Sequence, residues 1–405
     1  MTSILSTVSN GTPAVLDMDP FSIPCLEDPF SLQHAVRETD TVVWLKPYGI
    51  YAVGRHAEAK DVLSDHTRFT TTAGVGLADI RDPNAWRVKN PLLEVDPPEH
   101  SQIRSALMKI MSPIVIRRWK SMFEEEAELL VSRLLEKGTF DGLTDLAETF
   151  VTTVFPRTVG ITIDREKVIQ FGDLNFNANG PQNELYWRAF EKVEPLLPWF
   201  DDAFKREGMT PGGIGAQIYD AEEAGIFPKG TAVGLVRVLF RGGFDTTISG
   251  IAFALQQLAA HPRWWNWLRE DWRRAGAVFD EALRHQSPAQ VMFRTTVPEG
   301  ATIGSHSLEG DKKIAVFIGA ANRDPRRWDK PEIFDPTRDV SGAHLAFGVG
   351  AHACLGLLIA KFEAEAVLGA FARRVNTLEP DGKPKYRLVN TLRTLSSLPL
   401  RVTAP

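Results

Sequence analysis

Cysteine is nearly absent: the 405-residue chain contains only Cys25 and Cys354. Two thiols cannot build a disulfide framework, and their scarcity suits a reducing, cytoplasmic setting. Positive charge is not in excess either, since 46 basic against 51 acidic residues leave a formal net charge of -5. That balance argues against a general nucleic-acid binder, whose affinity rests on neutralising phosphates. Long hydrophobic runs are missing, and the opening MTSILSTVSNGTPAVLDMDP lacks a basic n-region, so neither a signal peptide nor a membrane anchor is expected. Gly/Ser linkers, low-complexity tracts and internal repeats are also lacking, which favours one continuous fold. The expectation is a loose polar leader over 1–18 and a single domain over 19–405.

What is present reads as mainly helical with a minor sheet component. The stretch VVWLKPYGIYAVGR (42–55) suggests two short strands around a Pro-Tyr-Gly turn. Residues 70–98 carry scattered Gly and Pro without periodicity and read as a long loop, which is unusual unless it serves a function. Helical patterning starts at Glu99. The stretch RRWKSMFEEEAELLVSRLLEKG (117–138) has apolar residues at helical spacing and ends on glycine. Further helical spans are predicted over 141–155, 183–206, 228–260, 262–286 and 354–374, with strands at 312–318 and near the C-terminus.

The chemistry concentrates in HLAFGVGAHACLGLLIAKFEAEAVLGAFARR, where a glycine-rich loop runs directly into Cys354 and an amphipathic helix follows. Backbone N–H groups at a helix start stabilise a thiolate, and Gly348, Gly350 and Gly356 allow a flat ring to approach the backbone closely. A lone buried cysteine is more often a small apolar filler, but the loop around this one argues for a metal-bound sulfur. A second reading, the dinucleotide fingerprint G-x-G-x-x-A over 348–353, fails on position. Too few residues follow to complete a βαβ half.

The spacing Phe347-x-x-Gly350-x-x-x-Cys354-x-Gly356 resembles the haem-binding signature of the cytochrome P450 superfamily. The resemblance implies a P450 fold, with haem b (iron protoporphyrin IX) between a long oxygen-activating helix and the cysteine-ligand helix, and Cys354 as the axial iron ligand. It covers 19–403, and other motifs agree. Glu281 and Arg284, three apart on a helix, resemble the superfamily's E-x-x-R, with Arg338 in the segment that locks onto it; the implied role is structural. Gly242, Gly243, Asp245, Thr246 and Thr247 make poor helix chemistry. A threonine hydroxyl there can compete for a carbonyl and open the helix. The run resembles the family's A/G-G-x-D/E-T motif, which implies Asp245 as proton carrier and Thr246 as organiser of ordered water. Haem propionates need cationic partners, and His100, Arg104, Arg294 and His352 match the family's positions for them.

Within the family, segments such as LLEVDPPEH, FNANGPQNE, GGFDTTISGIA and NTLRTLSSLP resemble a bacterial branch that oxidises para-substituted benzoic acids, including O-demethylation of 4-methoxybenzoate. Residue by residue, Arg87 matches an arginine guarding the entrance near the substrate carboxylate. Asn90 replaces a serine that binds the carboxylate, and Leu93 keeps an apolar wall. Arg237 is retained, while Val238 and Arg241 replace two serines. Phe176 keeps half of a phenylalanine pair around the ring, whereas Asn179 and Asn175 replace the other phenylalanine and a valine. Ala289 and Met292 replace bulkier residues over the haem, and Gly242 stands where alanine is commoner. The implied pocket is more polar and roomier than in the branch, with Arg241 a candidate partner for the carboxylate.

No flavin or iron-sulfur signature is fused to the chain, so the resemblance implies a separate [2Fe-2S] ferredoxin and an NAD(P)H-dependent ferredoxin reductase. A basic patch of Lys109, Arg117, Arg118 and Lys120 could receive the former. The implied protein acts as a monomer on a small aromatic substrate. The alternatives are oxidation of a neutral methoxyphenol, a peroxide-driven enzyme, which would not need Asp245 and Thr246, and a non-catalytic haem ligand-binding protein.

Overall fold

The computed structural model describes residues 11–405, so the first ten residues of the expected leader lie outside the described part. The remainder of that leader is not loose: Ala14–Leu16 pairs in parallel with Val43–Leu45 and forms the edge of the main sheet. Burial of Leu16 at 3% exposure supplies the reason, since one apolar side chain of a short polar run reaches the core.

That sheet runs Ala14–Leu16, Val43–Leu45, Ile50–Val53, Lys313–Phe317, Val291–Thr296 and Phe69–Thr70. The predicted hairpin over 42–55 is present as the antiparallel pair Val43–Leu45 and Ile50–Val53, turning through Gly49 at φ +59. The rest of the chain is mainly helical, packed around a core that includes fully buried Phe123, Phe150, Phe253, Phe279 and Phe371.

Helix boundaries follow local chemistry. Asp28 caps Pro29–Thr39 by accepting from Phe30 N at 3.2 Å, with proline at the first position, where no N–H is missed. Asp164 caps Arg165–Ala178 in the same way. Lys120–Lys137 stops at Gly138 (φ +72) and Thr149–Val159 at Gly160 (φ +80), both left-handed conformations that suit glycine. The span predicted over 117–138 is two helices, Pro113–Arg117 and Lys120–Lys137.

Two helices frame the principal cavity. Leu357–Arg374 follows the glycine-rich loop and packs on Lys120–Lys137. Opposite it lies the predicted 228–260 helix, which is interrupted: Ala232–Gly243 ends at Phe244 (φ -99, ψ -74) and Asp245–Ala260 resumes. Thr246 Oγ1 donates to Gly242 O at 3.0 Å, taking a carbonyl out of the helical ladder. Gly243 is required by packing, because a Cβ there would collide with the Phe155 ring, whereas Gly242 has open space around it. Among the described residues no helix is long and apolar enough to cross a membrane.

Candidate active site

The loop 347–356 is shaped by its own backbone. Cys354 N donates to Phe347 O at 2.7 Å and Gly348 N to Leu345 O at 2.9 Å. Gly348 and Gly350 take φ +64 and +71, and a Cβ on Gly350 would come within 2.7 Å of Ser64 Cα. Gly350 therefore serves the loop's seat on helix His56–Ser64 and does not line the cavity. The regular helix begins at Leu357, three residues after the cysteine. The N–H groups of Gly356 and Leu357 point at the Cys354 sulfur, and Arg104 adds positive charge; burial deep in the molecule outweighs them and pushes the thiol up. The sulfur nonetheless faces open space, because Cys354 borders a cavity of about 310 Å³.

Around the sulfur, that cavity collects two arginines without carboxylate partners and two histidines. Arg294 is 5% exposed, donates only to the neighbouring Phe293 O at 2.8 Å, and is pushed down to about 10 by burial. Burial likewise lowers Arg104. His100 is 1% exposed, and neither ring nitrogen has a partner; burial pushes it down to about 4. Its ring lies 4.1 Å from that of His352, whose Nε2 is 3.4 Å from Thr71 Oγ1 and 3.8 Å from Asp96 Oδ1. Orphaned donors and unpaired guanidinium groups are costly to bury alone. Facing a thiol across one cavity, they fit a flat macrocycle that carries two carboxylates and binds through sulfur. Phe347, Gly348 and Gly356 border the same space.

The far end is polar. Arg241 Nη2 donates to Asn179 Oδ1 at 2.8 Å, and Asn175 Nδ2 to Arg241 O at 3.5 Å. No carboxylate among the described residues lies within ion-pair distance of Arg241, and burial, assisted by the charge of Arg87, pushes it down to about 9. Leu93, Phe176, Val238, Gly242, Ala289 and Met292 complete the wall.

Three residues matched to the pocket are placed elsewhere. Arg87 does not reach the cavity: its Nη2 pairs with Glu94 Oε1 at 2.9 Å, where Glu94 is 0% exposed and would otherwise be a stranded charge. Asn90 is spent as a local cap, its Oδ1 accepting from Leu92 N and Leu93 N at 2.8 and 3.0 Å, while Nδ2 donates to Gly234 O at 3.2 Å. Arg237 is exposed and pairs with Asp201.

The Asp245 carboxylate also faces away from the cavity. It lies against Gly172, where any Cβ would collide with it, and its Oδ1 is 3.6 Å from Arg387 Nη2. Arg387 Nε in turn is 3.3 Å from Asp173 Oδ1. Burial pushes Asp245 up to about 7 in spite of Arg387, so the carboxyl gains and loses its proton around neutrality.

Glu281 and Arg284 form a bidentate pair, Nε–Oε2 and Nη2–Oε1 both 2.7 Å, with both side chains 0% exposed. Arg284 also donates to the carbonyls of Asn322 and Pro331 at 2.9 Å. Arg338 Nε stands 3.6 Å from Glu281 Oε1. Asn322 carries the network onward, its Oδ1 accepting from Leu345 N at 2.7 Å just before the cysteine loop.

Three features escaped the sequence reading. Glu363 borders the cavity with 0% exposure and no partner for either oxygen, so burial holds it well above the usual carboxylate range; its position on the apolar stripe of the cysteine helix was the available signal. Lys313 Nζ donates to Ala73 O and Gly74 O at 2.6 and 2.9 Å, anchoring the 70–98 loop. Asn390 clamps the roof: its N donates to Asn177 Oδ1 at 2.9 Å, its Nδ2 donates to Asn177 O at 3.0 Å, and Thr391 Oγ1 donates to Phe176 O at 2.7 Å.

Comparison with known proteins agrees with this geometry. The cytochrome P450 family profile matches residues 275–402. The chain is 41% identical over 394 residues to cytochrome P450 CYP199A2 of Rhodopseudomonas palustris, covering 96% of this chain and 94% of that protein. It is 25% identical over 403 residues to putative cytochrome P450 123 of Mycobacterium tuberculosis, covering 98% of this chain and 100% of that one. The structure of cytochrome P450 CYP109Q5 from Chondromyces apiculatus matches the fold with a TM-score of 0.79 at 27% identity, over 96% of this chain and 99% of that one.

Proposed function

The chain belongs to the cytochrome P450 family of monooxygenases, whose members bind haem b through a cysteine thiolate, and from that premise we propose that it hydroxylates or O-demethylates a small substituted aromatic acid. Cys354 supplies the thiolate in this reading, and His100, Arg104, Arg294 and His352 hold the propionates. Haem held in this way supplies the activation of dioxygen. The observation that carries the substrate class is Arg241, a half-buried guanidinium bordering the cavity with no described carboxylate within ion-pair distance. A substrate carboxylate would supply the missing anion, with Asn179 sharing the hydrogen bonding. Phe176, Leu93 and Val238 then wall the aromatic ring, and Ala289 and Met292 leave room beside its far end.

Titrating the ferric protein with 4-methoxybenzoate and with its amide tests this reading. The acid is expected to shift the haem spectrum with a Kd about 100-fold lower than the amide. Arg241→Met should raise the acid's Kd by about the same factor and leave the amide's within about twofold. Equal affinity for acid and amide in the native protein would remove the carboxylate assignment.

Proton delivery falls to the interrupted helix. Thr246, with its hydroxyl on Gly242 O, keeps a groove open for water, and Asp245 holds a proton behind it that is exchanged around neutral pH. Because the protonated carboxyl is the donor, turnover should fall as pH rises through about 7. Asp245→Asn is expected to slow turnover about 100-fold and to abolish that pH dependence. Substrate Kd should stay within about twofold, since the carboxylate does not face the cavity. A steady-state pH profile measured alongside the spectral titration checks both expectations.

Bacterial members of the family generally draw electrons from redox partners. A separate [2Fe-2S] ferredoxin with its NAD(P)H-dependent reductase fits this chain. Exposed Lys109, Arg117, Arg118 and Lys120 cluster near the cysteine helix, with Lys120 Nζ 5.9 Å from the Phe362 ring centroid.

A further inference from the structure

Lys313 opens the strand Lys313–Phe317, which lies inside the main sheet between Ile50–Val53 and Val291–Thr296. The strand is otherwise apolar and the lysine is 8% exposed, yet no carboxylate among the described residues lies within ion-pair distance of its Nζ. A buried ammonium without a carboxylate is costly unless other acceptors hold it. Both acceptors here are backbone carbonyls of one loop, Ala73 O at 2.6 Å and Gly74 O at 2.9 Å. The sheet thus grips the loop at a single point.

From that point the chain runs along the haem cavity. Gly74 takes φ +101 and a Cβ there would come within 2.9 Å of Ala78 O, so the turn is tight. Val75, the next residue, borders the cavity. Leu77 N then donates to Asn179 O at 2.8 Å, and Gly76 lies so close to Asn179 that a Cβ would come within 3.0 Å of the same oxygen. Asn179 follows the helix Arg165–Ala178, where carbonyls lack intrahelical partners, and the segment 73–77 supplies one. Through its Oδ1, Asn179 accepts from Arg241 Nη2 at 2.8 Å. Contacts therefore join the Lys313 ammonium to the cavity guanidinium without a break, by way of the strap 73–77 and Asn179.

We propose that Lys313 is a positioning residue for substrate selection: by fixing the strap 73–77 it holds Asn179, and through Asn179 it holds Arg241 in the orientation that receives a substrate carboxylate. This role rests on the reading of Arg241 as the carboxylate's partner. Lys313 itself does not border the haem cavity, so it acts only through the strap.

Four charged groups surround the ammonium. Asp79 and Glu94 favour its charge and Arg87 and Arg81 oppose it, but Asp79 is paired with Arg81 and Glu94 with Arg87. Burial prevails and pushes Lys313 down to about 7. Below that pH the ammonium grips the strap with charge-assisted bonds, and above it the neutral amine makes weaker ones.

Spectral titration of the haem-loaded protein with 4-methoxybenzoate and with its amide tests the role. Lys313→Met is expected to raise the acid's Kd about tenfold and to leave the amide's within about twofold. A lysine needed only for folding would move both constants together, or the midpoint of thermal unfolding alone. In an Asn179→Ala background, Lys313→Met should change the acid's Kd by no more than about twofold, because the link to Arg241 is already cut. In the native protein the acid's Kd should rise about threefold as pH climbs through about 7, with the amide's unchanged, and Lys313→Arg, charged throughout, should keep the tighter binding. That series in the native protein decides the matter if Lys313→Met fails to take up haem. Equal Kd values for acid and amide in the native protein would remove the reading of Arg241, and this role with it. Native discrimination that survives in Lys313→Met, a loss shared equally by acid and amide, an effect undiminished by Asn179→Ala, or a flat pH profile of the native acid Kd would each overturn the positioning role alone.

Discussion

Cys354→Ala is expected to give a folded protein without thiolate-ligated haem: the reduced, carbon monoxide-bound spectrum loses its thiolate band, and monooxygenase turnover falls by about 10³-fold or more. The argument is geometric. The cavity presents one thiol, that of Cys354, on a loop fixed by Cys354 N to Phe347 O at 2.7 Å, and Cys25 lies in another part of the fold. His352, two residues away, is buried beside Thr71 and Asp96 and is not free to take over as ligand. Because the loop is held by backbone bonds, the substitution leaves the protein folded, which circular dichroism would show. A variant that kept full turnover would remove the basis of the functional reading.

Glu281→Gln acts by the opposite route, through stability with no direct contact to substrate. Arg284 is 0% exposed and depends on Glu281 for its only carboxylate contacts, at 2.7 Å. Neutralising that partner strands a charge, at a cost of about 3–5 kcal/mol. Against a typical net stability of about 5–15 kcal/mol, that is enough to deplete the folded, haem-loaded population. Haem content per chain and the midpoint of thermal unfolding should both drop sharply. The double substitution Glu281→Gln/Arg284→Met, which removes the orphan, is expected to recover part of the loss. A single variant as stable as the native protein would mean that the carbonyls of Asn322, Pro331 and Ile333 suffice to hold Arg284.

Where each side chain stands was readable in proportion to how local its cause is. The interruption at Phe244 follows from two glycines and a threonine within a few residues, and the cysteine loop follows from glycines whose positive φ angles are intrinsic to the residue. Fold class was equally legible, because helical periodicity is local. The placement of Arg87 and Asn90 was not, since it depends on Glu94 being fully buried, and burial is a property of the assembled fold. The same reason hid Lys313 and Asn390, whose partners lie across the chain. The orientation of Asp245 away from the cavity turned on Gly172, a contact between helices that no spacing within one helix reveals.

The clamp at Asn390 ties together stretches that stand 213 and 215 positions apart along the chain. The Asn177 side chain and the Phe176 carbonyl meet residues 390 and 391, so this side of the chamber is sealed only once a long loop has closed. Closure over that length is slow beside the formation of a local helix.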